Sequence, residues 1–192
     1  MKKKAVTLIG PRSVGKTTVG KLLAKILNAK HIDLDMYSNK KLSKQGGITG
    51  FIDKYKVYGG DTLAWAYYHR YQFRFLKEIF SKKGKFVLDI GGGTFFEVFS
   101  DDKRNAEFIK RQSVVIALLP TKSLKKSVTF LFKREKKRPH WKKKNFPDKE
   151  LKWYVERDYT GLLPILNKYA DFKIYVENKT KEQVVDRILK RM

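Results

Sequence analysis

The chain has 192 residues, with 44 Lys plus Arg against 19 Asp plus Glu, a formal charge of +25. That length suits one domain with a substantial core, and a composition that is 42% hydrophobic and 14% aromatic excludes a disordered or low-complexity chain in spite of the charge. The absence of cysteine excludes a disulfide scaffold, a thiolate metal site and a thiol nucleophile, and the scattered His31, His69 and His140 give no basis for a histidine-built metal centre.

The basic start at Met1 to Lys4 precedes only the short apolar run Ala5 to Ile9, which Gly10-Pro11 closes. This run is too short for a signal peptide, and no stretch approaches the roughly 18 apolar residues of a membrane span. A soluble, cytoplasmic protein is expected. Ala5 to Ile9 reads as a central parallel strand covered on both faces. From Lys16 the positions Val19, Leu22, Leu23, Ile26 and Leu27 recur at helical spacing until Asn28. His31 to Asp35 reads as a second strand whose carboxylates, Asp33 and Asp35, leave the same face.

Two short helices broken at Gly46-Gly47 are expected between Met36 and Tyr58. A longer helix over about 61–80 follows, striped by Ala64, Tyr68, Tyr71, Phe75 and Ile79. Phe86 to Ile90 is a strand ending in Gly91-Gly92-Gly93, and Ser113 to Leu119 another, closed by Pro120. A helix is predicted from about Lys122 into Phe132, then a basic segment, then a helix from about Asp148. The last strand is Phe172 to Val176, and Thr180 with Gln183 forms a capping-box start for a terminal helix. Strands alternating with helices predict a parallel sheet with helices on both faces, an α/β three-layer fold.

Gly10-Pro11-Arg12-Ser13-Val14-Gly15-Lys16-Thr17 fits G-x-x-x-x-G-K-[ST], the phosphate-binding P-loop. A chance match in a chain of this length is on the order of one in a hundred, and the motif falls between a predicted strand and a predicted helix. Glycines let successive N–H groups turn inward to phosphate oxygens, the helix start adds its positive end, Lys16 reaches the β and γ phosphates, and Thr17 offers a hydroxyl to Mg²⁺. The predicted ATP-binding set is Gly10, Arg12, Ser13, Val14, Gly15, Lys16, Thr17 and Thr18.

Asp33 and Asp35 can hold a metal-bound water or accept a hydroxyl proton, or can cap the next helix. Asp89 can orient Mg²⁺ from the end of its strand, or cap the Gly91 turn. The triple glycine implies a close approach to the backbone, or a plain loop. Segment 133–144 holds eight basic residues and the single acid Glu135. Such a run can form a lid that brings cations onto a triphosphate, a solvated face, or a nucleic-acid patch.

In the order P-loop, Asp33-x-Asp35, arginine-bearing helix, Gly91 to Gly93 and Arg138-Pro139, the chain resembles shikimate kinase, a family of the nucleoside monophosphate kinase-like P-loop group, over nearly its whole length. The resemblance implies a single domain over 1–192 with a five-stranded parallel sheet in order 2-3-1-4-5. An acceptor-binding helical region would span about 36–82 and a lid about 133–147. It implies Mg²⁺-dependent transfer of the γ-phosphoryl group of ATP to the 3-hydroxyl of shikimate, a small anionic substrate.

Carried onto this chain, Lys16 and Thr17 would bind triphosphate and Mg²⁺, and Asp33 would hold the metal through water. Asp35 would bind and deprotonate the acceptor, Arg138 would be the lid arginine, and Gly91, Gly92 and Gly93 would line the acceptor site. Arg70 would be the acceptor-binding arginine, with Arg74 one turn later on the same face. On this reading Lys16, Asp35 and Arg138 are catalytic, and Thr17, Asp33 and Asp89 serve the metal.

Three departures from the family pattern stand out. Pro139-His140-Trp141 replaces the usual Pro-Leu-Leu, and Asp89 stands where a small hydroxyl residue is more frequent. Leu162 occupies the place of a second carboxylate-binding arginine. Arg157, the nearest candidate, lies five positions away, about 140° around a regular helix. Other acceptors are a gluconate-like sugar acid or polyol, or a nucleotide. A different class of reading is a basic P-loop protein that binds nucleic acid, although no recognition motif accompanies the charge. A monomer is expected.

Overall fold

The computed structural model describes residues 5–91, 100–139, 141 and 147–192. Gly92, Gly93, His140 and Lys142 to Lys144 therefore lie outside the described residues. Five parallel strands form one sheet: β1 (Ala5–Ile9), β2 (Lys30–Asp33), β3 (Phe86–Asp89), β4 (Ser113–Leu119) and β5 (Phe172–Tyr175), in the order β2-β3-β1-β4-β5. This is the expected 2-3-1-4-5 arrangement.

Eight α-helices are present among the described residues: α1 (Lys16–Ile26), α2 (Leu34–Lys41), α3 (Gly47–Lys56), α4 (Gly60–Phe80), α5 (Ser100–Gln112), α6 (Leu124–Glu135), α7 (Asp148–Tyr169) and α8 (Lys181–Leu189). Helix α1 packs on α8, while α4 packs on α5 and α6 on α7. Right-handed crossovers place the first pair and the others on opposite faces of the sheet. β1 is buried at all five positions, as its uninterrupted apolar run requires. The main core gathers Leu8, Leu23, Leu88, Ile116 and Leu166 between the layers. A second cluster, Leu42, Phe51, Ile52, Ala64, Tyr68 and Phe75, gives α3 and α4 an aromatic core of their own.

Two sequence expectations need correction. The second strand stops at Asp33, and Asp33 Oδ1 caps α2 by accepting the Met36 N–H at 3.0 Å. Asp35 therefore lies in the first turn of a helix, not beyond Asp33 on one face of a strand. Helix α5 was not anticipated, because its sequence Ser100 to Gln112 is mostly charged and polar. Ala106 and Ile109 anchor it in the core, and buried Asn105 donates to the carbonyl oxygen of His69 on α4.

The capping box at α8 is complete: the Thr180 hydroxyl accepts from Gln183 N, and the Gln183 side chain accepts from Thr180 N. Thr180→Ala should cost about 1 kcal/mol and lower the thermal midpoint by roughly 2–4 °C. An unchanged midpoint in a calorimetric melt would show that α8 is held by its apolar face alone.

Candidate active site

The site is built at the carboxyl ends of β1, β2 and β3. Beyond Ile9 the chain turns through Gly10, with φ +148°, where an added Cβ would stand 2.3 Å from the carbonyl oxygen of Leu118 at the end of β4. Only glycine fits there. Ser13 and Gly15 also take positive φ, 58° and 104°, and the loop curls so that its backbone can face inward.

Lys16, only 9% exposed, folds back into this curl, and its Nζ donates to the carbonyl oxygens of Gly10 and Pro11 at 3.0 Å each. Burial holds its ammonium below the ordinary lysine value, against the attraction of Asp89, Asp35 and Asp33. A buried cation whose hydrogen bonds go to neutral carbonyls is well matched to an incoming phosphate anion.

The parallel register sets Leu8 of β1 opposite Asp89 of β3, and Asp33 of β2 on the other side of Asp89. Asp89 is 4% exposed and accepts the Thr17 hydroxyl proton at 2.5 Å. Burial raises its pKa even though Thr17 and Lys16 favour the ionised form. Asp35 is raised as well, first by burial and then by the charge of Asp33. It sits against Gly91, where an added Cβ would meet Asp35 Oδ2 at 2.8 Å. Lys16, Thr17, Asp33, Asp35, Asp89 and Gly91 are thus brought together as expected from the sequence.

Thr17, Asp33 and Asp89 present oxygen atoms only, the donor type that Mg²⁺ takes. A threonine hydroxyl already directing its proton to a carboxylate has a lone pair free for a cation. Among the described residues no group of three or more His, Asp or Glu side chains that could hold a metal ion is found.

Other predicted residues are placed differently. Arg12 does not turn to the phosphate loop's interior. Its Nη2 donates to the Tyr154 hydroxyl at 2.5 Å and to Asp158 at 2.9 Å on α7, with its guanidinium 5.2 Å from the Tyr154 ring. Thr18 is exposed on α1. Arg70 and Arg74 are exposed on α4, with the Arg74 guanidinium 5.0 Å from the Tyr71 ring. Leu162 is buried in the main core at 2% exposure, and α7 runs from Asp148 to Tyr169 across it. Arg157 faces away from that core, over Trp153 and Tyr154 and bonded to Asp158 at 3.2 Å. The rearrangement needed for Arg157 to replace an arginine at 162 is not seen.

Sequence reasoning missed the contacts that brace the loop. Arg134 Nη1 donates to the carbonyl oxygen of Ser13 at 3.2 Å. Glu135, 4% exposed, accepts from Ser13 Oγ and Trp141 Nε1, each at 2.7 Å, and from Arg138 Nη1 at 3.3 Å. Burial pushes the Glu135 carboxyl up, but those donors and the nearby guanidinium charges outweigh it and hold it below the ordinary value. The signal was present: Glu135 is the single acid in an otherwise basic run.

The family model described as shikimate kinase matches residues 12–192. The chain is 27% identical to a shikimate kinase of Dictyoglomus turgidum, over 98% of this chain and 96% of that one. It is 31% identical to the pentafunctional AROM polypeptide of Candida tropicalis, over 67% of this chain but 8% of that much longer protein. Among solved structures, shikimate kinase from Acinetobacter baumannii in complex with shikimate is similar at a TM-score of 0.65 and 24% identity, with 99% of this chain and 93% of that one covered.

Gly91→Ala would drive a methyl group into Asp35. Displacing a site group by about 1 Å is costly, so turnover should fall at least tenfold while nucleotide affinity stays within about twofold. Unchanged turnover would show that Asp35 is not held by Gly91 in the working enzyme.

Proposed function

The chain belongs to the shikimate kinase family, and we propose that it transfers the γ-phosphoryl group of ATP to the 3-hydroxyl of shikimate, with Mg²⁺. The observation that carries this reading is the convergence of Lys16, Thr17 and Asp89 with Asp35 at one end of the sheet. Phosphoryl transfer leaves little covalent work to a protein, so catalysis comes from positioning and charge neutralisation.

Lys16 binds the β and γ phosphates. Thr17, Asp89 and, through water, Asp33 would hold the Mg²⁺, which when bound would neutralise charge on those phosphates. Asp35 accepts the proton of the attacking hydroxyl. Burial and the charge of Asp33 raise its pKa, which makes its carboxylate a stronger base than an ordinary aspartate. Gly91 and Arg70 form the acceptor side, and Arg138, three residues after the end of α6, serves the transferring phosphoryl group as the lid arginine.

The burial of Leu162 favours a second reading of the acceptor. Hydrocarbon fills the position of one carboxylate-binding arginine of the family, so a gluconate-like acid or polyol that makes fewer demands on that position belongs in the test. ADP release measured with shikimate, gluconate and nucleotide acceptors should show turnover with shikimate, and turnover with gluconate alone would move the assignment within the fold. Lys16→Ala should reduce turnover with every acceptor by a factor of roughly 100 or more. Residual activity near that of the unsubstituted chain would remove Lys16 from the mechanism.

Asp35 must be ionised to accept a proton, so kcat/KM should fall on acidification through a pKa above the ordinary aspartate value of about 4. Asp33→Asn keeps the cap on α2 but removes a negative neighbour that raises the Asp35 pKa. The acid limb should therefore move to lower pH. A limb that stays in place would show that another group sets it.

A further inference from the structure

We propose that Glu135 is a positioning residue that ties the lid to the P-loop and thereby presents Arg138 to the transferring phosphoryl group. This rests on the phosphoryl-transfer reading above. Glu135 is the last residue of α6, at the base of the lid, and its two carboxylate oxygens collect donors from two distant parts of the chain. Oε1 accepts from the Ser13 hydroxyl at 2.7 Å and from Arg138 Nη1 at 3.3 Å. Oε2 accepts from the Trp141 indole N–H at 2.7 Å.

A second path joins the same parts. The Trp141 ring lies 5.5 Å from that of Tyr154, edge to face, and the Tyr154 hydroxyl accepts from Arg12. A third runs from Arg134, the residue before Glu135, to the Ser13 carbonyl. P-loop residues 12 and 13 are each fastened to the lid base or to the helix that Trp141 packs on.

The chemistry of this junction is directional. Arg138 spends one N–H on Glu135, and a guanidinium has five, so four remain for phosphate oxygens. Anchoring one end of a long side chain also reduces the rotamer freedom that must be given up when the lid closes. A buried carboxylate close to the guanidinium groups of Arg138 and Arg12 offsets their mutual repulsion at the P-loop. Glu135 touches no reacting atom in this scheme and acts through Arg138.

The test is a double-substitution cycle on the full chain, with kcat and the KM for ATP measured for Glu135→Gln, Arg138→Ala and the pair. Glu135→Gln should lower kcat about tenfold with a much smaller change in KM, and should cost nothing further once Arg138 is alanine. A purely structural Glu135 would lower the thermal midpoint and combine multiplicatively with Arg138→Ala, which would overturn the proposal. Should Glu135→Gln fail to fold, Trp141→Phe removes one donor while keeping the ring, and the same cycle applies with the same two outcomes.

A second readout is independent of turnover. In a Trp65→Phe, Trp153→Phe chain, Trp141 is the sole tryptophan, and MgADP should change its emission under tryptophan-selective excitation. Loss of that change in Glu135→Gln supports the link to the P-loop, and its retention overturns it. If no acceptor supports turnover but this signal behaves as described, the phosphoryl-transfer reading fails and the lid-to-loop tie stands.

Discussion

The site depends on the parallel register of the three central strands. Because Leu8 pairs with Asp89 and Asp89 with Asp33, the loops that leave β1, β2 and β3 emerge at one level. The first helical turn of α1 then carries Thr17 onto Asp89 and leaves Lys16 beneath the glycine loop. A slip of one residue in any of these strands would turn its side chains to the opposite face of the sheet and separate the groups. The apolar core that fixes the register lies below the site, and the chemistry sits at the edge where that core ends.

This edge is electrostatically tense without its ligands. Asp35 and Asp89 are both shifted upward chiefly by burial, and Lys16 downward by the same cause. Each charged form is disfavoured by burial where it stands, and on the proposed reading anionic phosphate beside Lys16 and a divalent cation beside the carboxylates would relieve both.

Much of this was legible in the sequence because it rests on local rules. The glycines of the P-loop answer to backbone geometry, the uninterrupted run Ala5 to Ile9 to burial on two faces, and Thr180 with Gln183 to an unsatisfied helix end. The misses have a common origin in tertiary context. Helix α5 shows few apolar positions because Asn105 and a small apolar stripe are enough to seat it beside α4. Asp35 reads as strand because the sequence leaves helix capping by Asp33 as one alternative among others, and nothing local decides for it. Arg12, inside the motif, is drawn away by Tyr154 and Asp158, which lie some 140 residues distant. The family resemblance supplied the strand order and the roles of distant residues, and it also exposed Leu162, which the structure buries in the main core.

Of the formal charge of +25, segment 133–144 carries +7, eight bases against the single acid Glu135. The most direct test of the central claim is a phosphorus NMR spectrum of the full chain turning over ATP, Mg²⁺ and shikimate. A phosphomonoester resonance coupled to a ring proton of shikimate, growing in step with ADP, is expected. Loss of the γ-phosphate to inorganic phosphate alone, or no loss while nucleotide binds, would contradict it.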